Sequence, residues 1–163
     1  MQPLLQSFAS WLENQGFFAF AHLRGVWPTL EAFHFVGLTL LLGSVLLLDL
    51  RMLGVAKQLP CGPVHRLTLR WAFVGFGLMV VTGFLLMAGK ATAFLVGNPA
   101  FYLKLLAILL AGVTALVFYL TVDREVEAVG PGQDAPPLAK AIAGTSLFLW
   151  LSVITFGRYM ALS

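Results

Sequence analysis

The stretch EAFHFVGLTLLLGSVLLLDLRMLG, Glu31 to Gly54, decides the fold. Between Glu31 and Asp49 it runs for seventeen residues without a formal charge. At about 1.5 Å of rise per residue that length, with its half-tolerated ends, crosses a hydrocarbon core of roughly 30 Å. It reads as a membrane-spanning helix. One titratable side chain, His34, lies a turn inside the edge marked by Glu31 and on the same helix face. An ionisable group at that depth is costly, so it has a function or a partner. Histidine is the least costly of them because it can stay neutral.

Outward from this stretch, three more uncharged blocks follow at 71–89, 105–122 and 141–157, each near the length of one span. They account for a composition of 163 residues, 60% hydrophobic and 10% charged, too apolar for a soluble domain. The expected fold class is all-α, an integral membrane four-helix bundle over 27–163, with spans at about 29–52, 68–89, 100–122 and 140–160. Before it, Leu4, Leu5, Phe8, Trp11 and Leu12 recur at three- and four-residue steps opposite Gln6, Ser10, Glu13 and Asn14. Residues 1–26 therefore read as an interfacial amphipathic segment, with Gly16 ending its first helix. The opening MQPLLQSF has no basic n-region, so the first span is expected to serve as its own insertion signal.

The net charge of +3 is spread over the flanks of the apolar blocks, which points to lipid headgroups as the partner and away from nucleic acid. Arg51, Lys57, Arg66, Arg70, Arg124 and Lys140 fall on one side, and Arg24, Lys90, Lys104 and Arg158 on the other. This bias places both termini on the outer, periplasmic side of a bacterial inner membrane. Cys61 is the only cysteine, which excludes an intrachain disulfide and a thiolate metal cluster. There is no Walker-type phosphate loop and no Rossmann glycine pattern.

Folding this topology brings His34, Met87, Lys104 and Arg158 to similar depth in the outer half. A membrane histidine beside cations has two uses. It can bind the iron of a haem b, with Met87, Lys104 or His22 as sixth ligand and Arg158, Arg24 or Lys90 neutralising the propionates. Alternatively, it can hydrogen-bond a quinone carbonyl and move its proton. Three histidines exclude two bis-histidine haems. The plainer readings are that His34 bonds Glu31 or another helix, that His22 is interfacial, that His65 is a solvated loop residue, and that Lys104 snorkels to headgroups. Asp49 and Arg51, with Arg70 or Arg124 as cross-helix partners, read as an inner-side structural clasp.

Glu31-Ala-Phe-His34, Asp49-Leu-Arg51-Met-Leu-Gly54, Phe101-Tyr-Leu-Lys104-Leu and Ser146-Leu-Phe-Leu-Trp150 leading to Gly157-Arg158 carry a resemblance. From about residue 27 onward the chain resembles an uncharacterised family of small bacterial four-span membrane proteins. More remotely it is similar to the superfamily of copper-export-type membrane domains and the haem-binding, four-helix protoporphyrinogen oxidase of bacteria. That likeness implies His34 and Lys104 as the functional pair. Where relatives of the nearer family often carry Asn and His in the third span, this chain has Thr114 and Tyr119.

The leading expectation is a haem- or quinone-linked electron-transfer protein with its site at His34, Lys104 and Arg158, flanked by Glu31, His22 and Met87. The alternative is a non-catalytic accessory or anchor subunit, and the third is a copper or small-solute carrier. Gly-rich spans are also compatible with a homo-oligomer or with docking onto a larger membrane redox complex.

Overall fold

The computed structural model describes residues 2–160. Among them there is no strand. Four helices are long and apolar enough to span a bilayer: α3 (Val26–Leu53), α4 (Cys61–Ala88), α6 (Pro99–Thr121) and α8 (Pro137–Met160). Their lateral surfaces carry exposed large apolar side chains such as Phe35, Phe73, Leu109 and Phe148, and no more than 22% of any span's most apolar window is buried. Helices that are hydrophobic all round need lipid as solvent. The protein is a multi-pass membrane protein whose partner is the bilayer.

Shorter elements join the spans: α1 (Gln2–Leu12), a π-type turn (Glu13–Phe17), α2 (Phe18–Ala21), α5 (Ala91–Leu95) and α7 (Asp123–Glu127). Gly16, at φ 85°, kinks the chain as its position after the amphipathic run implies. Ala9 and Leu12 of α1 are buried against Ala91, with Met87, Leu95 and Val96 packed on the same cluster. Leu4, Phe8 and Trp11 stay exposed, as an interfacial helix requires.

The helix ends follow local chemistry. Gly54 closes α3 at φ 95°, with its N–H on Arg51 O and the Val55 N–H on Leu50 O, the left-handed cap that glycine permits. The Asn98 side chain accepts from the Phe101 N–H at the start of α6 and donates to Met160 O, tying α6 to the end of α8. The second span begins at Cys61 and not near residue 68. Pro60 and Pro63 flank its first turn, where a missing N–H leaves no hydrogen bond unmade, so this proline pair starts a helix instead of a loop.

Helix α3 packs along α4 and also against α8, and α8 packs along α6. The α3–α4 crossing is close because Gly37 and Gly75 face each other. A Cβ on Gly75 would lie 2.6 Å from Leu41 N and 2.7 Å from Gly37 O. Helices α4 and α6 are not closely packed on one another, which leaves a gap between them.

Both long connections, 54–60 and 128–136, lie at one end, called here the loop end. Met52, Cys61, Val122, Val126, Ala139 and Ala143 form its buried apolar cluster. Above it Lys57 Nζ and Lys140 Nζ each sit 2.9 Å from Asp134 Oδ1. Those two ammoniums, Lys57 first, hold the Asp134 carboxyl down from 3.8 to about 2. Because its folded value is depressed, this clasp is intact above the unfolded value and is lost as pH falls from about 4 towards 2. Amide exchange in 128–136 is expected to quicken across that window in the wild type, and Asp134→Asn to show the faster exchange at neutral pH already. A flat pH profile would remove the clasp.

Candidate functional site

The polar residues of the spans fall into two groups. At the terminal end, away from the long connections, His34 Nδ1 lies 2.9 Å from Thr82 Oγ1, across the close α3–α4 crossing. The Thr82 hydroxyl donates to Leu78 O at 2.6 Å, so its oxygen accepts from an Nδ1–H and Nε2 keeps its lone pair. Gly83 makes room for the ring: a Cβ there would stand 3.1 Å from His34 Cε1. The Lys104 side chain runs along Gly157 of α8.

The other calls of that group have partners of their own. Glu31 Oε1 accepts from Trp27 Nε1 at 2.8 Å, and of the plainer reading, that His34 bonds Glu31 or another helix, the second half holds: its partner is Thr82 of α4. Met87 packs beneath α1. His22 is exposed, with Nδ1 2.7 Å from Phe18 O and its ring stacked on Phe18 at 4.1 Å. Lys90 Nζ lies 4.5 Å over the Trp27 ring, and Arg158 is exposed beside Gly157.

The second group surrounds a cavity of about 390 Å³ between α3, α4, α6 and α8, reaching from mid-span towards the loop end. Its walls are apolar and aromatic, with Phe73, Phe76, Phe118 and Trp150, and it opens sideways where α4 and α6 stand apart. Asp49, His65 and Asp123 line it. Asp49 is 4% and His65 7% exposed. His65 Nε2 lies 3.2 Å from Asp123 Oδ1, and its ring tilts against Phe118 at 5.7 Å. Ser146 lines the same wall.

Among the described residues, the buried side-chain atoms Asp49 Oδ2 and His65 Nδ1 have no polar partner, and Asp123 Oδ1 has only its 3.2 Å contact with His65 Nε2. All three belong to residues lining this one cavity. Buried polar groups are nearly always satisfied, so two unpartnered atoms around one space make it the candidate place for a ligand.

Two expectations are corrected here. His65 is not a solvated loop residue, because α4 starts before it and turns it inward. Nor do Asp49 and Arg51 pair with Arg70 or Arg124. Arg51 is wholly buried, and its guanidinium donates to the carbonyls of Leu59, Gly130 and Gln133. Asp49 points to the cavity side of the same helix, as a two-residue offset demands. The signal for this site was present in the shared depth of Asp49, His65, Tyr119 and Asp123. Thr114 and Tyr119, where the chain departs from its resemblance, line the cavity as well.

No three His, Cys, Asp or Glu side chains among the described residues come together as a metal site. Comparison with curated proteins and with solved structures gives no match. The profile of one family covers residues 8–163, nearly the whole chain, and by that match the protein belongs to DUF6644, a family of unknown function.

Proposed function

We propose that this is a quinone-linked membrane redox protein of a bacterial inner membrane, with its loop end in the cytoplasm, that takes the quinone ring from the bilayer into the cavity between α4 and α6. The observation that carries this is the pair of unpartnered buried atoms, Asp49 Oδ2 and His65 Nδ1, beside the His65–Asp123 contact around one laterally open space. A volume of about 390 Å³ suits a small ring. Phe73, Phe76, Phe118 and Trp150 offer faces against which a ring can stack. His65 supplies an imidazole with one nitrogen free to bond the ring's oxygen. An anchor subunit has no need of such a space. Membership of a redox complex or a homo-oligomer is compatible with the exposed spans.

A second reading keeps His34 as a haem ligand, favoured by its Thr82-fixed tautomer, which presents Nε2 as iron ligands do. His34 would hold the iron, Thr82 would orient the ring, and Lys104 would neutralise a carboxylate or take the sixth position. A haem there would supply one-electron transfer. The remote likeness to haem-binding four-helix proteins supports the same pair.

One detergent-purified preparation tests both. A short-chain benzoquinone is expected to quench the tryptophan fluorescence saturably, and Trp150→Phe to remove most of the quench, since Trp150 lines the cavity. Absence of saturable quenching sinks the quinone reading. A Soret band lost in His34→Ala supports the haem reading, and a colourless preparation sinks it.

A further inference from the structure

We infer that the cavity selects the reduced, hydroxyl-bearing form of its ring: a benzoquinol donating one hydroxyl to His65 Nδ1 and the other end of its polar edge to Asp49 Oδ2. This rests on the quinone reading above and adds the redox form that binds.

The argument is one of donors and acceptors. A quinone carbonyl only accepts, whereas a quinol hydroxyl donates. Asp123 Oδ1, 3.2 Å from His65 Nε2, draws the imidazole proton to that nitrogen and leaves a bare lone pair on Nδ1, which is buried and unpaired. Asp49 Oδ2 is likewise buried without a partner. Two hydroxyls of the lining are turned to the backbone. Thr68 donates to His65 O at 3.0 Å and Thr114 to Leu110 O at 2.8 Å.

Asp49 Oδ2 and His65 Nδ1 thus stand as two buried, unpartnered acceptor atoms on the cavity wall. A carbonyl brought against it leaves both partners unsatisfied, while a hydroxyl satisfies both. Sites built to bond a hydroxyl discriminate strongly against analogues that lack the proton.

Calorimetric titration of the full-length protein in detergent, under anaerobic conditions, with one short-chain benzoquinone and its quinol decides the matter. The quinol is expected to bind at least about tenfold more tightly. His65→Phe is expected to bring the two affinities within about threefold by weakening the quinol alone. Asp49→Asn, of the same shape but carrying an amide donor, is expected to tighten the quinone and narrow the ratio.

Equal or tighter binding of the quinone by the wild type overturns the inference while leaving the quinone reading standing, and so does a ratio unchanged in His65→Phe. Failure of both forms to bind removes the quinone reading and the inference together. Binding of tetraphenylphosphonium in their place would assign the carboxylates to a lipophilic cation.

Discussion

Arg51→Met is expected to lower the stability of the protein by at least about 3 kcal/mol, the largest effect of any single substitution proposed for it. The guanidinium is fully buried, and its Nε donates to Leu59 O at 2.5 Å. One terminal nitrogen donates to Gly130 O at 3.1 Å, and both reach Gln133 O at 3.4 Å. It thus fastens the connection after α3 and the connection after α7 to the same helix end. Methionine matches the aliphatic stem but removes the donor from all three carbonyls, and each bond to a charged group is worth about 1.5–3 kcal/mol. Lysine should rescue little, because a single ammonium cannot reproduce the planar fork. In detergent, the unfolding midpoint should fall by about 6–12 °C, and protease should cut within 54–60 and 129–136 well below it. A midpoint within about 2 °C of wild type, with both connections still resistant, would show that the carbonyls find other donors.

The four spans were legible because bilayer thickness imposes one length on every apolar block, and local composition carries that length. The placement of His34 and Lys104 towards the same end of the bundle followed from depth alone, since topology fixes which end of each helix lies level with which. Side-chain direction was the part that depth could not supply. Asp49 and Arg51 lie two positions apart, so one serves the cavity and the other the connections, and the charge pattern read them as a single clasp. His65 was hidden by Pro60 and Pro63, which signal a turn in most contexts and here open a helix. The cavity itself arises from the absence of close packing between α4 and α6, a property of the whole arrangement that no local pattern encodes.

The close α3–α4 crossing gives the other large effect. Gly75→Ala is expected to destabilise by about 2–3 kcal/mol, because the new Cβ would stand 2.6 Å from Leu41 N and 2.7 Å from Gly37 O. Both are backbone atoms of a helix and cannot swing aside, so α3 itself must move. Gly37→Ala meets Gly75 O and Met79 Cγ at 3.0 Å, and one of those is a flexible side chain, so its cost should be smaller. Gly43 has nothing within 4 Å of its added Cβ, so Gly43→Ala should instead stabilise by up to about 1 kcal/mol through helix propensity alone. Three glycine-to-alanine changes within two spans thus carry opposite signs set only by what each methyl would touch. The His34–Thr82 bond bridges the same two helices, so in Gly75→Ala it should lengthen from 2.9 Å and the imidazole N–H exchange faster. Thermal unfolding of the three variants in one detergent supplies the comparison. An order in which Gly75→Ala equals or exceeds Gly43→Ala in stability would mean that α3 and α4 do not approach this closely in the bilayer protein.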